Sequence, residues 1–188
     1  MFEPKRILCL GDSNTYGFDP RSYIGSRYPS NVRWTGLLQE QSREIINCGQ
    51  NGLMIPQERD FPEIIIMIQN RRPLDKIVVM LGSNDLLNGA SANTAAARME
   101  KMIQSLETIF RDIVLVSPPP MQKGEWVQSN EIIIESKLLG KLYRQIAEKY
   151  HLIFADAGDW NVELTFDGVH FSPAGHASFA NGIEQLLE

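Results

Sequence analysis

Five short apolar runs, at residues 6–10, 44–48, 76–81, 112–116 and 152–155, alternate along this chain with longer stretches whose apolar residues fall at helical spacing. Ile77 to Leu81 and Ile113 to Val116 are continuously apolar rather than alternating, the mark of strands covered on both faces, as parallel strands are. Helices are predicted over residues 34–41, 62–71, 94–110, 131–150 and 173–187, with Pro62 and Pro173 suited to first-turn positions. In the fourth, Ile134, Leu138, Leu142, Ile146 and Tyr150 recur every four residues and predict a core stripe, while Glu135, Lys137, Lys141, Arg144 and Glu148 lie at other angles. The alternation predicts a three-layer α/β/α sandwich around a five-stranded parallel sheet, with right-handed crossovers and the flavodoxin-like strand order 2-1-3-4-5. Functional loops then gather at the carboxyl ends of the strands. The polar, Pro-started segment 118–130, which carries Trp126, reads as a mobile flap.

Composition narrows the possibilities. A chain of 188 residues, 43% of them hydrophobic, can bury one substantial core, so residues 1–188 are expected to form one domain. A formal charge of −5 and scattered basic residues, apart from Arg71 and Arg72, argue against a nucleic-acid footprint and for small-molecule partners. The apolar stretch before Gly11 is too short for a signal sequence, and no run reaches membrane-spanning length. Cys9 and Cys48 lie in apolar strand-like runs, where free thiols pack as small hydrophobes; a reducing cytoplasm is the expected location. Assembly into a homo-oligomer is left open.

Candidate chemistry lies just beyond the strands. Ser13 stands in GDSNTYG directly after the first apolar run, which reads as a sharp strand-to-helix turn lifting one hydroxyl onto the sheet edge. A serine hydroxyl is a poor nucleophile without a base, and the distal DGVH segment offers His170, with Asp167 three residues earlier to hold the ring's tautomer. An oxyanion would need neutral donors, and the backbone N–H groups of Ser13 and Gly52 and the side-chain amide of Asn84 are on offer. Gly49 rivals Gly52 within NCGQNG. Leu53, Met54 and Ile55, together with Trp160, Val162 and Leu164, are candidates for an acyl or aryl pocket, and a core role is equally open to each. Asp12 and Asp85 are better placed to accept backbone N–H bonds than to act as a catalytic pair. His151 and His176 are read as packing residues. A metal site of Asp167, His170 and His176 lacks a fourth ligand and leaves Ser13 and Asn84 without a purpose, so neither metal nor cofactor is expected.

The blocks GDS, NCGQNG, GSND and DGVH resemble, in matching order and over almost the whole chain, those of the GDSL or SGNH hydrolases. The resemblance implies the SGNH hydrolase fold, with Ser13 as nucleophile, Gly52 and Asn84 in the oxyanion hole, and Asp167 and His170 as acid and base. ILCLGDSNTYG, VRWTGLL, VVMLGSND, VLVSPPP, FADAG and DGVHFSPAGH are most similar to the bacterial arylesterase and acyltransferase group. This implies a carboxylic ester hydrolase for short acyl esters, with acyl transfer to alcohols as a related activity where the pocket is dry. The segment between Gly52 and Leu74 departs from that group by lacking a longer insertion. The same machinery would serve a carbohydrate O-acetylesterase. A different class, a flavodoxin-like module cradling a phosphate on the loop from Ser13 to Gly17, explains neither GSND nor the Asp–His pair.

Overall fold

The computed structural model describes residues 3–22, 24–39 and 42–188. Strands β1 (Lys5–Gly11), β2 (Arg43–Gly49), β3 (Lys76–Met80), β4 (Ile113–Ser117) and β5 (Ile153–Asp156) form one sheet in the order β2-β1-β3-β4-β5. Every pairing is parallel, with Ile7 set between Ile45 and Lys76. The strands follow the apolar runs because their side chains alternate between two covered faces. Leu8, Leu10, Ile77, Val79 and Leu115 point into one layer, and Ile7, Cys9, Val78, Met80, Val114 and Val116 into the other.

The first layer is covered by α3 (Phe61–Gln69), α5 (Ala92–Glu107) and α6 (Asn130–Tyr150), the second by α2 (Trp34–Leu37) and α7 (Pro173–Glu184). The two cysteines fall on opposite faces: Cys9 stands across from Asn47 in the ladder, whereas Cys48 stands across from Leu10. Strand geometry alone therefore forbids a bond between them, and both thiols are free. Burial, the largest influence on each, pushes both thiols above their ordinary range. No helix among the described residues is long and apolar enough to cross a membrane.

Three local expectations need correction. The stripe on α6 does not stay buried: Ile134 and Leu138 are 58% and 41% exposed, and the core face is Leu139, Tyr143, Ile146 and Ala147. Four residues overshoot one helical turn by about 40°, so a strict four-residue repeat winds around the helix, and here it starts on the exposed side and reaches the core only at Ile146. Helix α2 ends at Leu37, and positions 40 and 41 of its predicted range lie outside the described residues. Gln39 instead serves the sheet edge, accepting the Ile45 N–H at 2.9 Å and donating to the Arg43 carbonyl at 2.8 Å.

The segment 118–130 is fastened rather than free. The N–H groups of Gln122, Glu125 and Trp126 donate to the carbonyls of Gly168, Phe166 and Asp167 at 3.0, 3.2 and 3.1 Å. Gly168 makes this closeness possible, since a Cβ there would sit 2.1 Å from the Gln122 carbonyl oxygen and its φ is +83°. The segment 118–130 and the loop from Phe166 to Gly168 are thereby held as one unit.

Candidate active site

Ser13 opens α1 (Ser13–Tyr16), a single turn too short to show helical periodicity in the sequence. Asp12 caps it through Oδ1, which accepts the Asn14 N–H at 2.9 Å, and Gly17 ends it in the left-handed region. The turn is sharp because two glycines let α1 pack directly against the ends of β1 and β2. A Cβ on Gly11 would lie 2.0 Å from Thr15 Oγ1, and one on Gly49 would lie 2.1 Å from the Tyr16 nitrogen. Burial pushes the Asp12 carboxyl up to about 6, against the opposing pull of the Asn14 N–H.

Across the sheet edge, Asp167 and His170 come from the loop before α7. Asp167 Oδ1 accepts the N–H groups of Val169 and His170, both at 2.9 Å, so the carboxylate is fixed before it meets the ring. Its Oδ2 lies 2.7 Å from His170 Nδ1, and His170 Nε2 lies 2.9 Å from Ser13 Oγ. An ionised carboxylate only accepts, so Nδ1 carries the proton and Nε2 is left to accept from the serine hydroxyl. Burial alone would raise Asp167, but the hydrogen bonds from the His170 ring and from the N–H groups of His170 and Val169 outweigh it and hold the carboxyl at about 2. Such a line can draw a proton from the hydroxyl and return it elsewhere.

A second group gathers around α4 (Ser83–Leu87), another short helix with no sequence period. Asn84 Nδ2 donates to the Leu53 carbonyl at 3.1 Å, and its neighbour Asp85, fully buried, accepts the Ile55 N–H at 2.9 Å and the Arg98 guanidinium at 2.8 Å. These bonds tie α4 to the loop that begins at Gly52. Gly52 has φ of +73° and open space where a Cβ would stand, whereas Gly49 is packed against α1, which leaves Gly52 the glycine free to face a ligand.

The expected pocket residues divide. Gly52, Leu53, Met54 and Ile55 line a cavity of about 450 Å³. Trp160 and Val162 instead join the layer under α7, where Trp160 packs edge-on against Phe179 at 5.1 Å, and Leu164 packs against that same layer. The fastened loop brings Trp126 edge-on to the His170 ring at 4.9 Å while leaving it 53% exposed. Phe18 lies 4.8 Å from the same ring. Phe18 carries no motif, and its place beside His170 depends on the loop that follows α1, so no sequence signal announces it.

His176 is buried in the core. It accepts the Trp34 N–H on Nδ1 at 3.3 Å and packs against Tyr28 and Phe171. His151 caps α6 in the left-handed region. Burial first, then the charges of Arg33 and His170, lowers His176 from its ordinary 6.5 to about 3. A folded-state value below the unfolded one means His176 contributes stability that is complete above about 6.5 and is lost as the pH falls toward 3. Asp12 acts oppositely between about 6 and its ordinary 3.8, with the smaller shift. In His176→Asn, whose side-chain oxygen can still accept from Trp34, the melting temperature should fall less steeply between pH 6.5 and 4 than in the parent. Parallel melting curves across that range check it.

Among the described residues, no three His, Cys, Asp or Glu side chains gather to hold a metal ion. The Asp12 carboxylate at the start of α1 also disfavours a phosphate there by like charge.

No curated protein matches the chain in sequence. Solved structures do. The native aryl esterase of M. smegmatis is 26% identical, with a TM-score of 0.84 over 96% of this chain and 97% of its own. A carbohydrate acetylesterase family member from Sinorhizobium meliloti is 26% identical, with a TM-score of 0.82 over 97% of each chain. Both share a fold whose sheet edge carries the Ser13, Asn84 and His170 groups in this protein. A family sequence model runs through residues 9–178, from within β1 past the His170 loop into α7, and by that match the chain belongs to the GDSL-like lipase/acylhydrolase family and is a carboxylic ester hydrolase.

Proposed function

We propose that the chain hydrolyses small carboxylic esters through an acyl intermediate on Ser13. The observation that carries this is the continuous line from Asp167 Oδ2 through the imidazole to Ser13 Oγ, with links of 2.7 and 2.9 Å. His170 Nε2 takes the hydroxyl proton as Oγ bonds to the acyl carbon, and the carbonyl electron pair moves onto oxygen. The N–H groups of Ser13 and Gly52 and the Asn84 amide receive that oxyanion. As the tetrahedral species collapses, His170 gives its proton to the departing alkoxide, and the alcohol leaves. Water, deprotonated by the same nitrogen, then attacks the acyl carbon; as the C–Oγ bond breaks, His170 returns the proton to Oγ and the acid leaves. An alcohol entering at the second stage would give acyl transfer by the same steps.

Asn84→Ala should lower kcat on p-nitrophenyl acetate by about 100- to 1,000-fold while leaving the fold intact, because the lost amide serves the charge that develops in the transition state. Steady-state rates beside a circular dichroism spectrum check this. A kcat within about twofold of the parent removes Asn84 from the oxyanion hole.

A second reading, an O-acetylated carbohydrate as substrate, is favoured by the half-exposed Trp126 held at His170, because an aromatic face beside the base suits a ring-shaped leaving group. Under it, Trp126→Ala should lower kcat/KM for an acetylated sugar by about three- to tenfold and leave ethyl acetate within about twofold. Equal losses on both substrates would count against the sugar.

A further inference from the structure

Asn14, the residue after the serine, is 3% exposed, and its side chain makes two hydrogen bonds to a segment more than 150 positions away. Nδ2 donates to the Val169 carbonyl at 3.1 Å, and Oδ1 accepts the Phe171 N–H at 2.9 Å. These two groups flank His170. The same pair of bonds is what a parallel strand offers the residue between them, so the amide acts as a one-residue strand partner for position 170. Asn14 is itself immobilised, because its N–H is held by Asp12 at 2.9 Å and its carbonyl accepts the Trp34 indole N–H at 3.0 Å. The clamp therefore joins the turn bearing Ser13 to the loop bearing His170 without passing through either reacting group.

Resting on the acyl-serine reading, we propose that Asn14 is a positioning residue that sets the Ser13–His170 alignment by fixing the backbone on both sides of the histidine. Only an amide fits. Leucine has the shape but neither donor nor acceptor; aspartate can accept from Phe171 but, when ionised, sets a second oxygen against the Val169 carbonyl; and serine is too short to span both. A small shift of the ring from Oγ costs rate without changing substrate contacts, since geometry at the reacting atoms enters kcat steeply.

The test compares Asn14→Leu, Asn14→Asp and Ser13→Ala with the parent on p-nitrophenyl acetate. Circular dichroism gives the folded fraction used to normalise each rate. For folded Asn14→Leu, kcat should fall at least about tenfold with KM within about twofold. Asn14→Asp retains the shape and one bond and guards against failure of the leucine variant to fold. Its carboxyl can donate to Val169 only when protonated, so the ratio of its kcat to the parent's should fall as pH rises. Asp12, Asp167 and His170 are common to both proteins, so the ratio isolates position 14. A kcat within about twofold of the parent in Asn14→Asp at every pH, or a loss carried by KM, overturns the inference. A kcat within about tenfold of the parent in folded Ser13→Ala would instead overturn the acyl-serine reading on which it rests.

Discussion

Ser13→Ala should lose about 10⁴-fold or more in kcat on p-nitrophenyl acetate and remain folded. The size follows from removing the atom to which the acyl group bonds: what survives is general binding and oxyanion stabilisation acting on direct attack by water. Stability should hardly change, since Oγ contributes one hydrogen bond to His170 and the turn around it is held by Gly11, the Asp12 cap and the Gly49 contact. Rates together with melting curves on the same preparation check both halves. A retained rate in a folded variant would move the nucleophile elsewhere.

Asp167→Asn should cost about 10⁴-fold in kcat, for a reason specific to this loop. Both the Val169 and His170 N–H groups donate to Oδ1, which obliges an asparagine to place its oxygen there and its NH₂ toward His170 Nδ1. That nitrogen must then accept, the ring proton moves to Nε2, and Nε2 points a hydrogen at Ser13 instead of a lone pair. The variant loses its base through the wrong tautomer while every heavy atom stays near its place. Its folding should also become less sensitive to acid. With a folded value of about 2 against an ordinary 3.8, the carboxylate contributes stability that is present above about 4 and is lost as the pH falls toward 2, and the amide cannot titrate. Denaturant midpoints between pH 5 and 2 check the second effect, and turnover at neutral pH the first.

The strands and their order were legible because a strand buried on both faces must be apolar throughout, and the parallel crossovers leave few ways to join five of them. The edge strands β2 and β5 were less marked for the same reason: Ile153 is 38% exposed, and Ile45 and Ile46 are only half-buried. Helices α1 and α4 carry Ser13 and Asn84 yet show no helical period, since four or five residues complete about one turn; the strand-to-helix turn chemistry of GDSNTYG is the one local mark of α1. Those residues were found through motif order instead. The exposed Ile134 and Leu138 show the converse: the four-residue repeat is clear, but its drift of about 40° per step around α6 sets these two outside the core. For Trp160 and Val162 the sequence leaves pocket and core roles equally open, and in the fold both pack with the layer that holds Phe179, while Val162 also lines a cavity beside Pro120 and Asn161. What the chain hid most completely is the surroundings of His170. Phe18, Trp126 and the Asn14 clamp reach it only after loops distant in sequence have been fastened to one another.

The most direct measurement is rapid acid quenching of the protein during turnover of p-nitrophenyl acetate, followed by peptide mass mapping. An acetyl group should be found on the peptide containing Ser13, formed as fast as the first nitrophenol is released and absent in Ser13→Ala. Turnover with that peptide unmodified, or with the acetyl group on another residue, would contradict an acyl-Ser13 intermediate.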